Sequence, residues 1–206
     1  MKRILCFGDS LSWGLVPGTR QRHGADWRWA KVFAQHTGAE VMEEALNGRT
    51  TVYDFPGRPY RKGLDTLPMM LEQHAPLDTV MIMLGTNDFF AVPDATAEHA
   101  LSGLRQLAEV VQSPSVEPGM PIPKLVLIAS PMARVVRDSP YPFADVSEEI
   151  ETQAARLPAM VKALAEEIGC GFFDASYLLT DDADGIHLSQ DTTRELGLAL
   201  AQADLI

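Results

Sequence analysis

Thr79-Val80-Met81-Ile82-Met83-Leu84 runs directly into Gly85-Thr86-Asn87-Asp88. Its apolar residues do not alternate with polar ones, as expected of a strand covered on both faces inside a parallel sheet wrapped by helices. Leu125-Val126-Leu127-Ile128-Ala129 reads the same way. Working outward from these two, strands are predicted over 3–7, 40–45, 79–84, 124–129 and 171–173. Helical periodicity fills the segments near 27–35, 64–73, 94–111, 147–167 and 190–203. Strand and helix in alternation predict an α/β fold with a five-stranded parallel sheet. Ile150, Ala154, Leu157, Val161, Leu164 and Ile168 recur at three- and four-residue steps, with Gly169 as a C-terminal stop. Pro158 falls inside that pattern and predicts a kink or a split. Ser147-Glu148-Glu149-Ile150 and Asp94-Ala95-Thr96-Ala97-Glu98 each set a capping residue and early acids at a helix start.

The 206 residues suit one domain over 1–206. With 17 Lys+Arg against 28 Asp+Glu, the net charge of -11 repels phosphate backbones and anionic membrane surfaces, so neither nucleic acid nor membrane is expected as a partner. The basic residues are scattered apart from Arg58, Arg61 and Lys62. Behind Met1-Lys2-Arg3 the apolar stretch ends after four residues at Gly8-Asp9-Ser10, too short for an export signal, and no run approaches a membrane span. The expected location is cytoplasmic, unless a leader has been removed. Cys6 and Cys170 make neither a disulfide framework nor a metal quartet and read as small buried hydrophobes.

Irregular stretches at 17–26, 54–63 and 131–143 follow strand ends and carry Pro, Gly, Arg or aromatic residues. Ligands of open parallel sheets bind beyond the carboxyl ends of the strands, so these loops are expected to wall a pocket. Gly8-Asp9-Ser10 turns from strand to helix at that edge and presents Ser10 either as a nucleophile or as a helix cap. Asn87 closes the most hydrophobic strand, where its amide is an oxyanion donor or part of an ordinary turn. Gly48, in Leu46-Asn47-Gly48-Arg49-Thr50-Thr51, allows close backbone approach and a further N–H donor, or is a turn glycine. Asp184-Gly185-Ile186-His187 sets an acid three residues before an imidazole, in reach of it from a helical turn or across a loop. His36, His74 and His99 read as surface residues, and His23 as a solvated loop residue within reach of substrate. Thr180, Asp182, Asp184, Gly185 and Asp191 fall on calcium-loop positions, but Thr at the first and Asp at the last argue for an acidic surface loop. No metal is expected.

Gly8-Asp9-Ser10-Leu11, the Gly48 loop, Gly85-Thr86-Asn87-Asp88 and Asp184-Gly185-Ile186-His187 resemble, in order and spacing, the four blocks of the SGNH hydrolases, or GDSL esterases. The phrases around Ser10, Gly48 and Asn87 look most like the bacterial arylesterase and acyltransferase branch. The resemblance implies a flavodoxin-like three-layer α/β/α sandwich with no cofactor. It implies Ser10 as nucleophile, His187 as general base and acid, Asp184 as its orienter, and the N–H groups of Ser10 and Gly48 with the Asn87 amide as oxyanion hole. It also implies a homo-oligomer, for which the segments 53–61 and 135–143 suit subunit contacts. Asn47-Gly48 departs from the Ser-Ala often found there, and the loops 16–25 and 54–64 look shorter.

The expected activity is hydrolysis of short-chain acyl or aryl esters through an acyl-serine, extending to acyl transfer where the site favours an alcohol over water. Trp13, Phe89 and Phe90 are the residues expected to form an apolar wall for such a substrate, or else they are core aromatics. The rival reading is a non-catalytic binder of small carbohydrates or acyl compounds on the same fold.

Overall fold

The computed structural model describes residues 1–113, 119–137 and 146–206. Positions 138–145, which include the Tyr141 and Phe143 end of the expected subunit-contact stretch, lie outside the described residues. Among the described residues five parallel strands, β1 (Arg3–Gly8), β2 (Glu40–Ala45), β3 (Thr79–Met83), β4 (Lys124–Ala129) and β5 (Gly171–Asp174), pair in the order β2-β1-β3-β4-β5. In sequence order, seven helices among the described residues accompany them: α1 (Ser10–Trp13), α2 (Trp29–Thr37), α3 (Gly63–His74), α4 (Asp88–Ala91), α5 (Ala97–Gln112), α6 (Glu148–Ile168) and α7 (Gln190–Gln202). This is the flavodoxin-like winding, whose chain order reverses between β1 and β3 and leaves a crevice beyond their carboxyl ends.

The unbroken apolar runs are explained by two cores on opposite faces of one sheet. Leu5, Phe7, Val80, Ile82, Leu125 and Leu127 pack with Leu67 of α3, Leu104 and Leu107 of α5, and Leu157 and Leu164 of α6. The alternate residues Ile4, Cys6, Met81, Met83, Val126 and Ile128 pack with Trp29 and Phe33 of α2 and Leu196 and Leu200 of α7. The inner strands β1, β3 and β4 therefore obey a period of two, but both of their faces are dry. No helix among the described residues is long and apolar enough to cross a membrane.

Two expectations change. Pro158 lies inside α6 without splitting it, because the helix face bearing Leu157, Val161 and Leu164 is anchored in the core on either side of the missing N–H. The helix expected from residue 94 starts at Ala97, capped by Thr96, whose side chain and His99 form a reciprocal capping box, while Asp94 takes a left-handed turn at φ 51°. Ser147 and Gly169 cap α6 as predicted, the glycine in the left-handed conformation.

Candidate active site

The site is assembled from four loops at the carboxyl edge of the sheet. The end of β1 gives Asp9 and Ser10, where the Asp9 side chain accepts from Leu11 N and starts the short α1. Ser10 is thereby held at the helix start with its hydroxyl toward the crevice. Its Oγ lies 2.9 Å from His187 Nε2, and His187 Nδ1 lies 2.8 Å from Asp184 Oδ2. A carboxylate only accepts, so the imidazole proton sits on Nδ1 and the Nε2 lone pair faces the serine hydroxyl. That is the arrangement a general base requires.

Asp184 belongs to a loop folded around its own carboxylate. Oδ1 accepts from the backbone N–H of Ile186 (3.0 Å) and His187 (2.9 Å), and Oδ2 also accepts from Gly18 N (2.9 Å). Burial pushes this carboxyl up, but the His187 hydrogen bond and charge, with the backbone donors of His187 and Gly18, outweigh it and hold Asp184 below the usual carboxylate range. It stays ionised beside the imidazole. Arg134 pins the loop from outside, donating to Thr180 O at 2.7 Å and pairing with Asp182, so two acids of the calcium-like pattern already face His187 and Arg134. His23, expected in solvent, is buried, and its Nε2 lies 3.1 Å from Leu188 O, tying the 17–26 loop to the His187 segment.

Asn87 ends the β3 loop and donates through Nδ2 to Asp9 Oδ2 at 3.0 Å. An amide carries two N–H donors, so this bond fixes the carboxamide plane and leaves one for a developing oxyanion. Asp9 is fully buried, and burial raises its pKa to about 6 against the stabilising Leu11 N–H, His187, Arg49 and Asn87. Beside it Asp88, also fully buried, accepts from Thr51 N (2.8 Å) and Thr51 Oγ1 (2.6 Å). Burial lifts Asp88 to about 7, with the charge of Asp9 adding to the effect. Gly48 adopts φ +79°, a conformation side chains rarely take, and a Cβ there would stand 2.9 Å from Arg58 Nη1.

These groups open onto a cleft of about 360 Å³ lined by Ser10, Leu15, Gly18, Gly48, Phe55, Arg58, Asn87, Phe90, Ile186 and His187, among others. Of the expected wall, only Phe90 lines the cleft. Phe89 is buried in the core, and Trp13 lies under the Arg22 guanidinium, whose carbon is 5.0 Å from its ring centroid. A four-residue helix explains the difference: neighbouring Phe89 and Phe90 point to different sides of α4. Phe55 and Arg58 come from the 54–63 loop expected to wall the pocket, and Gly18, Thr19 and Arg20 from the 17–26 loop, whereas sequence reasoning missed Leu15 and Ile186 as lining and Asp9 as the partner of Asn87. Only Asp9 left a signal, since an Asp two residues before a backbone N–H at a helix start is a capping pattern.

The model of the GDSL-like lipase/acylhydrolase family matches residues 6–194. Among solved structures, the chain is similar to an aryl esterase of M. smegmatis, with 39% identity, full coverage of both chains and a TM-score of 0.90. A putative arylesterase of Agrobacterium tumefaciens gives the same identity of 39%, full coverage of both chains and a TM-score of 0.90. Est24, a carbohydrate acetylesterase of Sinorhizobium meliloti, is 35% identical over 98% of this chain and 97% of its own, with a TM-score of 0.87. No curated protein sequence matches the chain.

Proposed function

Since the chain belongs to the GDSL-like lipase/acylhydrolase family, we propose that this carboxylic ester hydrolase cleaves short-chain acyl and aryl esters through an acyl enzyme on Ser10. The observation that carries the reading is the continuous chain Ser10 Oγ to His187 Nε2 at 2.9 Å and His187 Nδ1 to Asp184 Oδ2 at 2.8 Å. His187 takes the hydroxyl proton as Oγ bonds to the ester carbonyl carbon, and the carbonyl π pair moves onto oxygen. The N–H groups of Ser10 and Gly48 and the free amide N–H of Asn87 receive that oxyanion. On collapse the C–O bond to the alcohol breaks, and the imidazolium returns its proton to the departing alkoxide. Water, deprotonated by His187, then attacks the acyl carbon; the bond to Ser10 Oγ breaks, the imidazolium returns its proton to Oγ, and the acid is released. Asp184 stays ionised throughout and stabilises the imidazolium.

The cleft volume of about 360 Å³ suits a small acyl or aryl group. Leu15, Phe55, Phe90 and Ile186 give it an apolar wall, which supports an alcohol competing with water for the acyl-serine. Acyl transfer is read from the ester-to-acid product ratio in water–alcohol mixtures. Ser10→Ala is expected to abolish turnover of p-nitrophenyl acetate while the thermal unfolding curve is retained, and a fluorophosphonate is expected to add one adduct at Ser10 by intact mass. Full activity in the variant, or no adduct, overturns the proposal.

A further inference from the structure

The cleft's electrostatics run against those of the whole molecule. The chain carries a net charge of -11, yet Gly48 is flanked by two guanidiniums, with its ideal Cβ position 2.9 Å from Arg58 Nη1 and 3.7 Å from Arg61 Nε. Arg61 directs its donors to backbone oxygens, Nε to Asn47 O at 2.8 Å and Nη1 to Pro59 O at 2.9 Å. Arg58 rests over the Phe55 ring, 5.0 Å from its centroid. Among the described residues neither guanidinium has a carboxylate within ion-pairing distance, whereas Lys62 in the same loop pairs with Asp54. The one carboxylate lining the cleft, Asp184, is already bonded to His187 and three backbone N–H groups. Arg58 and Arg20 line the cleft itself.

An uncompensated guanidinium beside the backbone that faces a reacting carbonyl is a receptor for a second charge on the substrate, because Arg presents a planar fork matched to carboxylates. We infer that the cleft selects esters bearing an anionic group, of which a carboxylate is the type, held by Arg58 beside Gly48. The inference rests on the ester-hydrolase reading and narrows its substrate class. The glycine takes part in it: any Cβ at position 48 would displace the Arg58 head group, so the Asn47-Gly48 pair and the arginine form one device.

Arg58 is solvent-exposed, so the gain per charge pair is that of an exposed ion pair, about two- to fivefold in KM, and it is screened by salt. The test uses two matched pairs of esters: mono-p-nitrophenyl adipate with its methyl ester, and 4-acetoxybenzoate with its methyl ester. The first places the carboxylate on the acyl side and the second on the alcohol side. In one of the two series the KM of the neutral ester is expected to exceed that of the anionic ester by about two- to fivefold, a ratio that falls toward one in about 0.5 M NaCl. Arg58→Gln is expected to bring the ratio to one, whereas Arg105→Gln, the same charge change at a surface pair with Glu167, keeps it. A ratio at or below one in both series overturns the inference. So does an Arg58→Gln variant that keeps the ratio, or an Arg105→Gln variant that loses it equally. Should neither the neutral nor the anionic esters be turned over, the hydrolase reading fails. Anion selection is then decided by calorimetric binding of 4-acetoxybenzoate against its methyl ester to the wild-type chain and to Arg58→Gln.

Discussion

Asp9 shows how a residue adjacent to Ser10 can act on a group far away in sequence. Its two oxygens are divided between Leu11 N, which starts α1, and the amide of Asn87, 78 residues later. Under the proposed mechanism Asn87 is an oxyanion donor, so Asn87→Ala is expected to lower kcat for p-nitrophenyl acetate by about 10²–10³ with the fold retained. Asp9→Ala leaves the donor present but unanchored. A loss of about 10- to 100-fold in kcat with little change in KM is expected, and Asp9→Asn, whose carbonyl oxygen still accepts, recovers part of it. Equal losses in Asp9→Ala and Asp9→Asn would assign the effect to the charge instead of the hydrogen bond. Ser10, Asp184 and His187 were legible because each lies in a local pattern of residue types at a strand end. The Asp9 contact was not, because it depends on the distance between two loops.

Helix α5 supports the site from behind through Gly103. An added Cβ there would lie 1.8 Å from Thr51 Oγ1, and Thr51 is the residue that supplies both hydrogen bonds to Asp88, next to Asn87. Gly103→Ala is therefore expected to push the Thr51 loop away and destabilise the protein by about 1–3 kcal/mol, read as a lower urea midpoint. An unchanged midpoint would mean the loop yields without loss. The strands and long helices were readable because apolar spacing records which residues face a core. Element edges were less so: α2 starts at Trp29 instead of Trp27, and α1 and α4, at four residues each, are too short to show a period. The split that Pro158 allowed is absent, because α6 stays one helix with its apolar face in the core.

Over the whole molecule, the buried carboxyls set how stability follows pH. Asp9 and Asp88 titrate near 6 and 7 in the folded chain, above the ordinary 3.8, because burial disfavours their ionised forms. Between that ordinary value and their folded values the native state holds protons that the unfolded chain has released, so their contribution weakens as pH rises through the window. Asp184 and Glu43 act with the opposite sign. Burial raises both, but His187 with its backbone donors and, for Glu43, Arg28 with Lys31 and Arg22 prevail, so their stabilisation is present above the ordinary carboxylate range and lost on acidification. Above the ordinary carboxylate range, the slope up to about pH 7 therefore belongs to Asp9 and Asp88. Thermal unfolding of the wild type is expected to shift to lower temperature across that interval, and Asp88→Asn, which cannot ionise, to show a flatter profile. Parallel profiles for the two proteins would remove Asp88 as a source of the slope.

By itself the sequence determined the order of the strands and long helices, the burial of the inner strands on both faces and the serine, imidazole and acid that meet at the sheet edge, since all of these are written in local spacing and residue type. Tertiary structure alone decided which aromatic lines the cleft, that Asp9 holds Asn87, that His23 is buried, and that Arg58 stands over Gly48 with no acid beside it. The physical reason is that hydrogen bonds and charge pairs act over a few ångströms in space, and the loops that meet at this edge are brought within that range only by the winding of the sheet.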